Sequence, residues 1–232
     1  MRFEERSMDL NALLFSFFNA EVAWRYLPDI LAGMWVTLQL GVAVAATGVA
    51  LGLVLAVVRA LRIRPVNFLI ICFADILRAL PPLVVIMVLF FAFPYINLSM
   101  SAFMACWLSL SLVLAAFAEE IFWAGILSVP RGQAEAARST GLNWLQSMVY
   151  VVMPQAMRLT VAPLTNRVIA ITKSTALGSV VGLSEVLNNA QSASSNAGNA
   201  TPLTLAAVAC LLIFLPVVVL GRWTETRFKW KH

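Results

Sequence analysis

Long apolar stretches separated by short polar segments run along most of the chain. About 20 residues, each rising about 1.5 Å, cross a hydrocarbon core roughly 30 Å thick, so the longest stretches qualify as membrane-spanning helices. Strands of a membrane barrel alternate over about ten residues and would not give continuous runs. The pattern predicts an all-α polytopic membrane protein with five transmembrane helices, over about Leu31–Val58, Val66–Phe93, Ser101–Ile121, Leu159–Val181 and Leu203–Leu220.

Composition agrees with a lipid environment. Of the 232 residues, 61% are hydrophobic and 12% are charged, whereas soluble domains carry about 25% charged residues. Cys72, Cys106 and Cys210 lie inside apolar runs, where we expect them to be packing residues rather than disulfide partners. The net charge of +5 falls in short clusters between apolar runs, so no nucleic-acid partner is predicted.

The basic clusters also predict the orientation, because Lys and Arg concentrate in cytoplasmic loops. They follow the first span, lie between the third and fourth, and follow the fifth. The N-terminus is therefore expected outside and the C-terminus in the cytoplasm, with residues 222–232 as a basic cytoplasmic tail. The Ser- and Asn-rich stretch Asn188–Thr201 is expected to be a solvent-facing external loop.

Residues 1–30 precede the first span and are predicted to lie outside. They give no good signal peptide, since Arg2–Arg6 mixes both charge signs and the apolar run Leu13–Phe18 is short. Met8–Tyr26 is amphipathic, which is consistent with an interfacial helix. A poorly ordered leader is the alternative for the same segment, and the sequence leaves both open.

The largest cytoplasmic connection, between the third and fourth spans, is predicted to form two short helices. Ser128 is positioned to cap the first, with Pro130 in its first turn, and Gly141 is a suitable stop. Asn143, with Gln146 three residues later, gives a capping-box pattern for the second. These two short helices do not contribute to a membrane span, so we expect the elbow that they form to present a surface to a partner.

This connection, residues 131–154, resembles the EAA signature of bacterial ABC importer permeases, E-A-A-x3-G-x9-I-x-L-P. The matching residues are Glu135, Ala136, Ala137, Gly141 and Pro154, and the departures, Val151 and Met153, are conservative. The resemblance implies a coupling helix that inserts into a cleft on an ATP-hydrolysing subunit. Small alanines would allow close approach, the glycine would make the bend, and the glutamate would supply an ion pair. Pro154 is also expected to limit the second short helix.

Shorter motifs along residues 27–225 resemble those of polar amino-acid permeases of the histidine, glutamine, arginine and glutamate type. They are Gly33-Met-Trp-Val-Thr37-Leu, Arg78-Ala-Leu-Pro81-Pro-Leu, Glu120-Ile-Phe-Trp123-Ala-Gly125-Ile, and Asn166 followed by Lys173-Ser-Thr175-Ala-Leu. Their order and spacing carry the resemblance. Departures at Glu119, Trp123 and Ser174, where alanine, arginine and aspartate are usual, leave the charge preference of the substrate open.

The resemblance implies a single permease domain, residues 1–232, in a bacterial inner membrane, forming half of a path for a polar amino acid. A second permease, identical or homologous, would complete the path. Two ATP-binding cassette ATPases would bind the coupling loops, and an external solute-binding protein would deliver the substrate. ATP and magnesium would bind the ATPases, and no cofactor or metal is expected here. The sequence has no Walker motif, Cys/His metal set or hydrolase elbow, so no enzymatic activity is predicted.

Several ionisable residues fall inside the predicted spans, where each costs about 2.5 to 3.5 kcal/mol on insertion scales and is expected to be paired or functional. Asp75 and Arg78, three residues apart, are candidates to pair with each other. Glu119 and Glu120 point about 100° apart, so one is expected to face the path and the other an interface or a cation. An amino-acid zwitterion needs a donor and an acceptor, for which Lys173 and Glu120 are candidates.

Proline and glycine mark two further features. Pro81-Pro82 removes two backbone donors from the second span and is expected to break it, leaving carbonyls to line a path. Gly41, Gly48 and Gly52 in the first span are expected to allow close helix contact. The candidate path residues are Arg78, Pro81, Glu120, Asn166, Lys173 and Thr175.

Two other function classes compete with the permease subunit. An ion-driven secondary amino-acid carrier would carry an internal repeat of spans, and none is visible. A non-transporting membrane scaffold would also present a polar loop, although the broken second span and the intramembrane charges weigh against it. Which amino acid is carried stays open, as does whether the permease pair is homodimeric.

Overall fold

A computed structural model describes residues 10–228 of the chain, with side chains through Trp223. All regular secondary structure in this range is helical, as predicted. The helices are α1 (Leu10–Phe17), α2 (Ala20–Ala60), α3 (Arg64–Ala79), α4 (Pro82–Met87), α5 (Ala102–Ser128), α6 (Arg131–Ser139), α7 (Trp144–Ser147), α8 (Met153–Lys173), α9 (Val186–Ala197) and α10 (Thr201–Phe228). Two π turns, Val88–Ala92 and Met148–Val152, and two 3₁₀ turns, Phe93–Ile96 and Ser174–Val181, extend α4, α7 and α8.

Several of these helices are able to cross a membrane. Three stretches of residues 10–228 are long and apolar enough, and α3 with α4 makes a fourth if the bent pair counts as one span. The three are Leu10–Ala60, Ala102–Ser128 and Thr201–Trp223. Polar side chains, among them Arg167 and Lys173, lower the mean hydropathy of α8 and keep it out of this set. The count of five spans stays a prediction.

Helix α2 begins earlier than the predicted first span. It starts at Ala20, because Asn19 Oδ1 accepts hydrogen bonds from two backbone N–H groups of the first turn, at 3.0 and 3.2 Å. Pro28 lies inside the helix without ending it. Residues 20–30 are therefore helical and continuous with the first span, and the membrane boundary near residue 30 stays a prediction. At 41 residues, α2 is on the order of 60 Å long, about twice a hydrocarbon core.

The two ends of the chain also differ from the predicted segments. The amphipathic stretch Met8–Tyr26 is divided between α1 and α2 rather than forming one interfacial helix, and its first two residues lie outside the described range. The basic tail predicted for residues 222–232 begins inside α10, which runs to Phe228. Residues 229–232 lie outside the described range.

Helix α5 is the centre of the bundle. In its most apolar window 61% of residues are buried, against 22% for the Leu10–Ala60 stretch and 17% for α10, so the other helices surround it. Its side chains Leu110 and Leu114 form the main core with Leu40 and Val44 of α2 and Ile86 of α4, all fully buried.

Glycines let α2 approach α5 closely. A Cβ added at Gly48 would lie 2.7 Å from Leu114 Cβ, and one at Gly52 would lie 2.5 Å from Ala118 Cβ. Lipid gives helices no hydrophobic drive to associate, so close van der Waals contact of this kind stabilises the pair. The expectation of close contact is confirmed for these two glycines. Gly41 is different, since its nearest neighbour, Thr172, would be 3.9 Å away.

The second predicted span is broken where expected. Leu80 and Pro81 separate α3 from α4, and the two helices are bent by 104°. Pro81 and Pro82 lack the N–H groups that would bond the carbonyls one turn earlier, in Leu77 and Arg78. The break therefore leaves these two carbonyls without their helical donors.

Helix α9 lies where the external loop is predicted, so that prediction is wrong. Val186, Ala190 and Ala193 recur at helical spacing and are buried against α2 and α10. Glu185 caps the helix, and its carboxylate accepts hydrogen bonds from the N–H groups of Leu187 and Asn188 at 2.9 and 2.7 Å. Burial raises the pKa of the Glu185 carboxyl, and these two hydrogen bonds oppose the shift.

The Gly33–Thr37 motif at the start of the first span packs against this cap. A Cβ at Gly33 would lie 2.9 Å from backbone atoms of Glu185 and Val186. Thr37 Oγ1 donates to the Gly33 carbonyl at 3.0 Å and accepts from the Val186 N–H at 3.3 Å. The motif therefore joins α2 to the start of α9 by backbone contact.

Candidate functional site

The connection between α5 and α8 folds as an elbow, residues 131–154, with α6 as its first arm. The predicted cap at Ser128 is wrong, because Ser128 ends α5 and its hydroxyl donates to the Ala124 carbonyl at 2.8 Å. Pro130 precedes the first turn of α6 instead. The arm ends at Ser139, and Gly141 follows with φ of +93°, a left-handed value that strains other residues. Gly141 is thus the predicted stop.

The second arm begins at α7 with the predicted capping box. Asn143 Oδ1 accepts from the Gln146 N–H at 2.9 Å, and Gln146 Oε1 accepts from the Asn143 N–H at 3.0 Å. Pro154 does not limit this helix, so that prediction is wrong. The π turn Met148–Val152 widens the backbone around the Tyr150 carbonyl, which the proline ring would otherwise meet. The helix therefore runs on from α7 into α8.

The two sides of α6 have different surroundings. Ala137 is buried, whereas Glu135 and Ala136 are exposed on the outer side. Beneath the elbow, an apolar cluster joins it to the ends of α2, α5 and α8. The cluster consists of Ala60, Val129, Met148, Val152 and Ala156, with Trp123, Ala134 and Trp144 packed against it. The outer side is available to a partner, and the inner side is fixed to three long helices.

An ion pair that the sequence pattern does not reveal lies beside this cluster. Arg59, in the last turn of α2, donates to both carboxylate oxygens of Glu119 at 2.9 and 3.2 Å. The Glu119 side chain is fully buried, and Arg59 also lies over the Trp123 ring, 4.7 Å from its centroid. In the sequence, Arg59 is an orientation signal only. The sequence signal that could have indicated a shared contact is that Glu119 and Trp123, two departures from the resembled motif, lie four residues apart on one helix.

A second candidate site lies at the break between α3 and α4. A cavity of about 380 Å³ opens there between α3, α5 and α8, and its wall includes Arg78, Pro81, Phe117, Arg167 and Ser174. Arg78 Nη1 pairs with Glu120 and lies 3.8 Å from Asp75 Oδ1. The expected Asp75–Arg78 contact is therefore present, and Glu120 of α5 is a second partner of the same guanidinium.

Arg167 is the other cation of the cavity wall. Its guanidinium lies over the Phe117 ring, 3.7 Å from the centroid, and the Arg78 guanidinium lies over the same ring at 5.6 Å. Within residues 10–223, no carboxylate lies at ion-pair distance from Arg167. Helix α8 is the predicted fourth span, and a charge in a membrane span costs about 2.5 to 3.5 kcal/mol on insertion scales, so Arg167 is a candidate functional residue.

The remaining predicted path residues lie apart from this cavity. Glu120 reaches it only through Arg78, and its side chain is half-exposed. Thr175 is buried, and its hydroxyl donates to the Thr172 carbonyl at 2.8 Å. Asn166 and Lys173 are exposed and do not line the cavity. A role for Lys173 with Glu120 in binding a zwitterion stays a prediction. The cavity wall instead includes Phe117, Arg167 and Ser174, which the sequence did not single out as path residues.

Comparison with known proteins places these features in context. A family model described as "Binding-protein-dependent transport system inner membrane component" matches residues 48–230. The L-cystine transport system permease protein of Bacillus subtilis (strain 168) is 32% identical over 164 residues, 71% of this chain and 70% of that protein. The arginine transport system permease protein of the same organism is 30% identical over 205 residues, 88% of this chain and 94% of that protein.

Solved structures share the fold. A crystal structure of an amino acid ABC transporter with histidines superposes with a TM-score of 0.79 and 28% identity over 88% of this chain and 95% of that chain. An inward-facing methionine ABC transporter gives a TM-score of 0.68 over 87% of this chain and 96% of that chain, at 20% identity. The helical arrangement described above is thus shared with chains of these solved ABC transporters.

Proposed function

Since the chain belongs to the family of binding-protein-dependent transport system inner membrane components, we propose that it forms half of the path of an ATP-driven importer for a polar amino acid. It is the permease component and is not itself catalytic. Relatives named for L-cystine and arginine transport support an amino-acid cargo. ATP and magnesium bind the partner ATPases in this proposal, and this chain holds no cofactor.

The observation that carries the proposal is the construction of the elbow. Glu135 and Ala136 stand exposed on a short helix that Gly141 stops, and the helix rests on the ends of α2, α5 and α8. A partner that displaces α6 therefore displaces three long helices together. In this proposal Glu135, Ala136, Ala137, Gly141 and Pro154 form the coupling segment that docks on an ATPase subunit.

The proposal includes a membrane arrangement and a set of partners. Five spans, with α8 as the fourth, put the N-terminus outside and the elbow and C-terminus in the cytoplasm, in agreement with the basic clusters beside the elbow and after α10. A second permease subunit completes the path, because five spans cannot easily enclose one alone. The exposed apolar faces of α2 and α10 are suited to contact with lipid or with that subunit. Two ATPase subunits and an external solute-binding protein complete the importer.

The substrate path in this proposal passes the break between α3 and α4. Arg78 and Pro81 belong to its wall, and Glu120 fixes the Arg78 side chain. Asn166, Lys173 and Thr175 are assigned to other parts of the path along α8 and the turn that follows it. A discontinuous helix that opens backbone groups to a cavity is a common way to build a membrane substrate site.

Reconstitution tests the proposal. The chain is placed in liposomes with its cassette ATPase and binding protein, and uptake of labelled polar amino acids is measured with ATP, with a non-hydrolysable analogue, and with an ion gradient alone. Uptake that needs hydrolysable ATP and the ATPase subunit is expected. Ion-driven uptake by this chain without the ATPase would show a secondary carrier, and no uptake under any condition would show a scaffold.

A further inference from the structure

Resting on the proposed function, we infer that the cavity at the α3–α4 break binds an acidic amino acid, with Arg167 and Arg78 as the two carboxylate-binding groups. The inference concerns the substrate class, which the resemblance leaves open. Two arginines line the cavity, and only Arg78 forms ion pairs with acidic side chains of the described residues.

The cavity wall is cationic. Two guanidinium groups line it, at Arg78 and Arg167, and no carboxylate belongs to the lining. The nearby acids, Asp75 and Glu120, reach the cavity only as partners of Arg78. A cationic side chain entering this space would meet like charges without a carboxylate on the wall to bind it. An anion would meet the opposite charge.

Within residues 10–223, the guanidinium of Arg167 forms no ion pair with a carboxylate. Its plane is held over Phe117 at 3.7 Å, which fixes the guanidinium without using its N–H groups. A guanidinium carries five N–H donors in a rigid fork that matches a carboxylate in two parallel hydrogen bonds. Arg167 is therefore a preformed site for one carboxylate.

Arg78 has donors left for a second carboxylate. Its contacts with Asp75 and Glu120 both use Nη1, so the remaining N–H groups of the fork are not engaged by these acids. The Arg78 guanidinium lies over the same phenyl ring, 5.6 Å from its centroid. One ring thus holds both cations beside a single cavity, which suits a small molecule with two carboxylates.

The α-ammonium group of such a substrate also has acceptors. Pro82 has no N–H to bond the carbonyl of Arg78, a residue of the cavity wall, so this carbonyl lacks its helical donor. Ser174, which lines the cavity from the other side, adds a hydroxyl. The cavity therefore offers two carboxylate sites and neutral acceptors, the complement of an acidic amino acid.

Binding to the intact permease–ATPase complex, without binding protein and without ATP, tests the inference. Affinities for L-glutamate, L-aspartate, L-glutamine and L-arginine are measured by equilibrium binding of labelled ligand. L-glutamate or L-aspartate is expected to bind at least about tenfold more tightly than L-glutamine, because the amide loses a charged contact, and L-arginine is expected to show no binding. Tighter binding of L-glutamine or L-arginine would overturn the inference.

Variants identify the group responsible. Arg167→Gln is expected to weaken binding of the acidic ligand at least about tenfold, and Arg167→Lys, which keeps the charge without the fork, to fall between it and the wild type. Arg158→Gln is the matched control, since Arg158 is exposed on the same helix and does not line the cavity. Unchanged binding in Arg167→Gln, or an equal loss in Arg158→Gln, would contradict the inference. If Arg167→Gln does not assemble, the Arg167→Lys and Arg158→Gln pair decides.

The two proposals fail separately. ATP-dependent uptake that prefers glutamine would refute the acidic substrate and leave the importer standing. Uptake that does not require ATP would refute the importer, while the binding assay, which contains no ATP, still measures the preference of the cavity.

Discussion

Arg59 and Glu119 form the best-buried ion pair among the described residues, with the guanidinium 2.9 Å from a carboxylate whose side chain is fully buried. The pair joins the last turn of α2 to α5, and Trp123 stacks on the guanidinium one turn further along α5. Glu119 and Trp123, the two departures in α5 from the resembled motif, therefore contact the same arginine of a different helix.

Removal of one partner of this pair should be costly. Arg59→Met leaves the Glu119 carboxylate buried and unpaired, which is expected to reduce the free energy of unfolding by about 3 to 5 kcal/mol. Thermal unfolding in detergent measures the loss. The double variant Arg59→Met/Glu119→Leu removes both charges and is expected to recover most of it. A double variant no more stable than Arg59→Met would show that the pair is not the cause.

Close packing of α2 on α5 gives a prediction with an internal control. Gly52→Val places a side chain 2.5 Å from Ala118 Cβ and 2.9 Å from the Ala115 carbonyl oxygen, so α2 must move away. A loss of about 1 to 3 kcal/mol or more is expected, seen as a lower unfolding temperature. Gly41→Ala, whose added Cβ meets nothing closer than 3.9 Å, should be at least as stable as the wild type, because alanine favours the helix more than glycine does. Equal loss in both variants would contradict the packing explanation.

A large side chain on the outer side of α6 should leave folding of the isolated permease unchanged but prevent assembly of the importer. Ala136→Trp is exposed and is expected to fold normally, yet to block docking of the ATPase and abolish ATP-dependent uptake. Co-purification of the ATPase and uptake in proteoliposomes are the measurements. Leu145→Trp, also exposed but on α7 beyond the Gly141 bend, is the matched control and should keep both. Normal assembly and uptake in Ala136→Trp would remove α6 from the coupling surface.

Glu185 gives a pH dependence. Burial raises its folded-state pKa above the ordinary value of 4.5. The group therefore adds stability that is fully present below about pH 4.5 and is lost as pH rises through the folded pKa. The difference in unfolding temperature between the wild type and Glu185→Gln, followed against pH, is expected to change in this window. A constant difference at all pH values would mean that the carboxyl does not titrate differently on folding.

Local chemistry explains which parts of the fold were predictable from sequence. The Pro81–Pro82 break, the Gly141 stop and the Asn143–Gln146 capping box each depend on residues adjacent in the chain, and all three occur as predicted. The apolar runs located α5 and α10 for the same reason. Composition gave the wrong prediction for α9. Its Ser and Asn residues suggest a loop, but Val186 and the alanines at helical spacing form the buried face of a helix.

Contacts between distant segments were not predictable. Arg59 and Glu119 are separated by 60 residues, and the approach of Phe117 to Arg167 depends on how α8 crosses α5. The cavity therefore follows from packing, which the positions of Asn166, Lys173 and Thr175 in the sequence do not reveal. Pro154 shows the reverse error, since a π turn removed the local clash that would have ended the helix.

The passage of α7 through that π turn into α8 has a mechanical consequence. Trp144–Lys173 is one uninterrupted helical rod on the order of 45 Å long, with the second arm of the elbow at one end and Arg167 near the other. Gly125 of α5 touches this rod between the two ends, where its Cβ would lie 2.4 Å from Thr160 Cγ2. If the rod moves as a rigid body about this tight contact, a displacement of the elbow would carry Arg167, on the far side of Gly125, in the opposite direction.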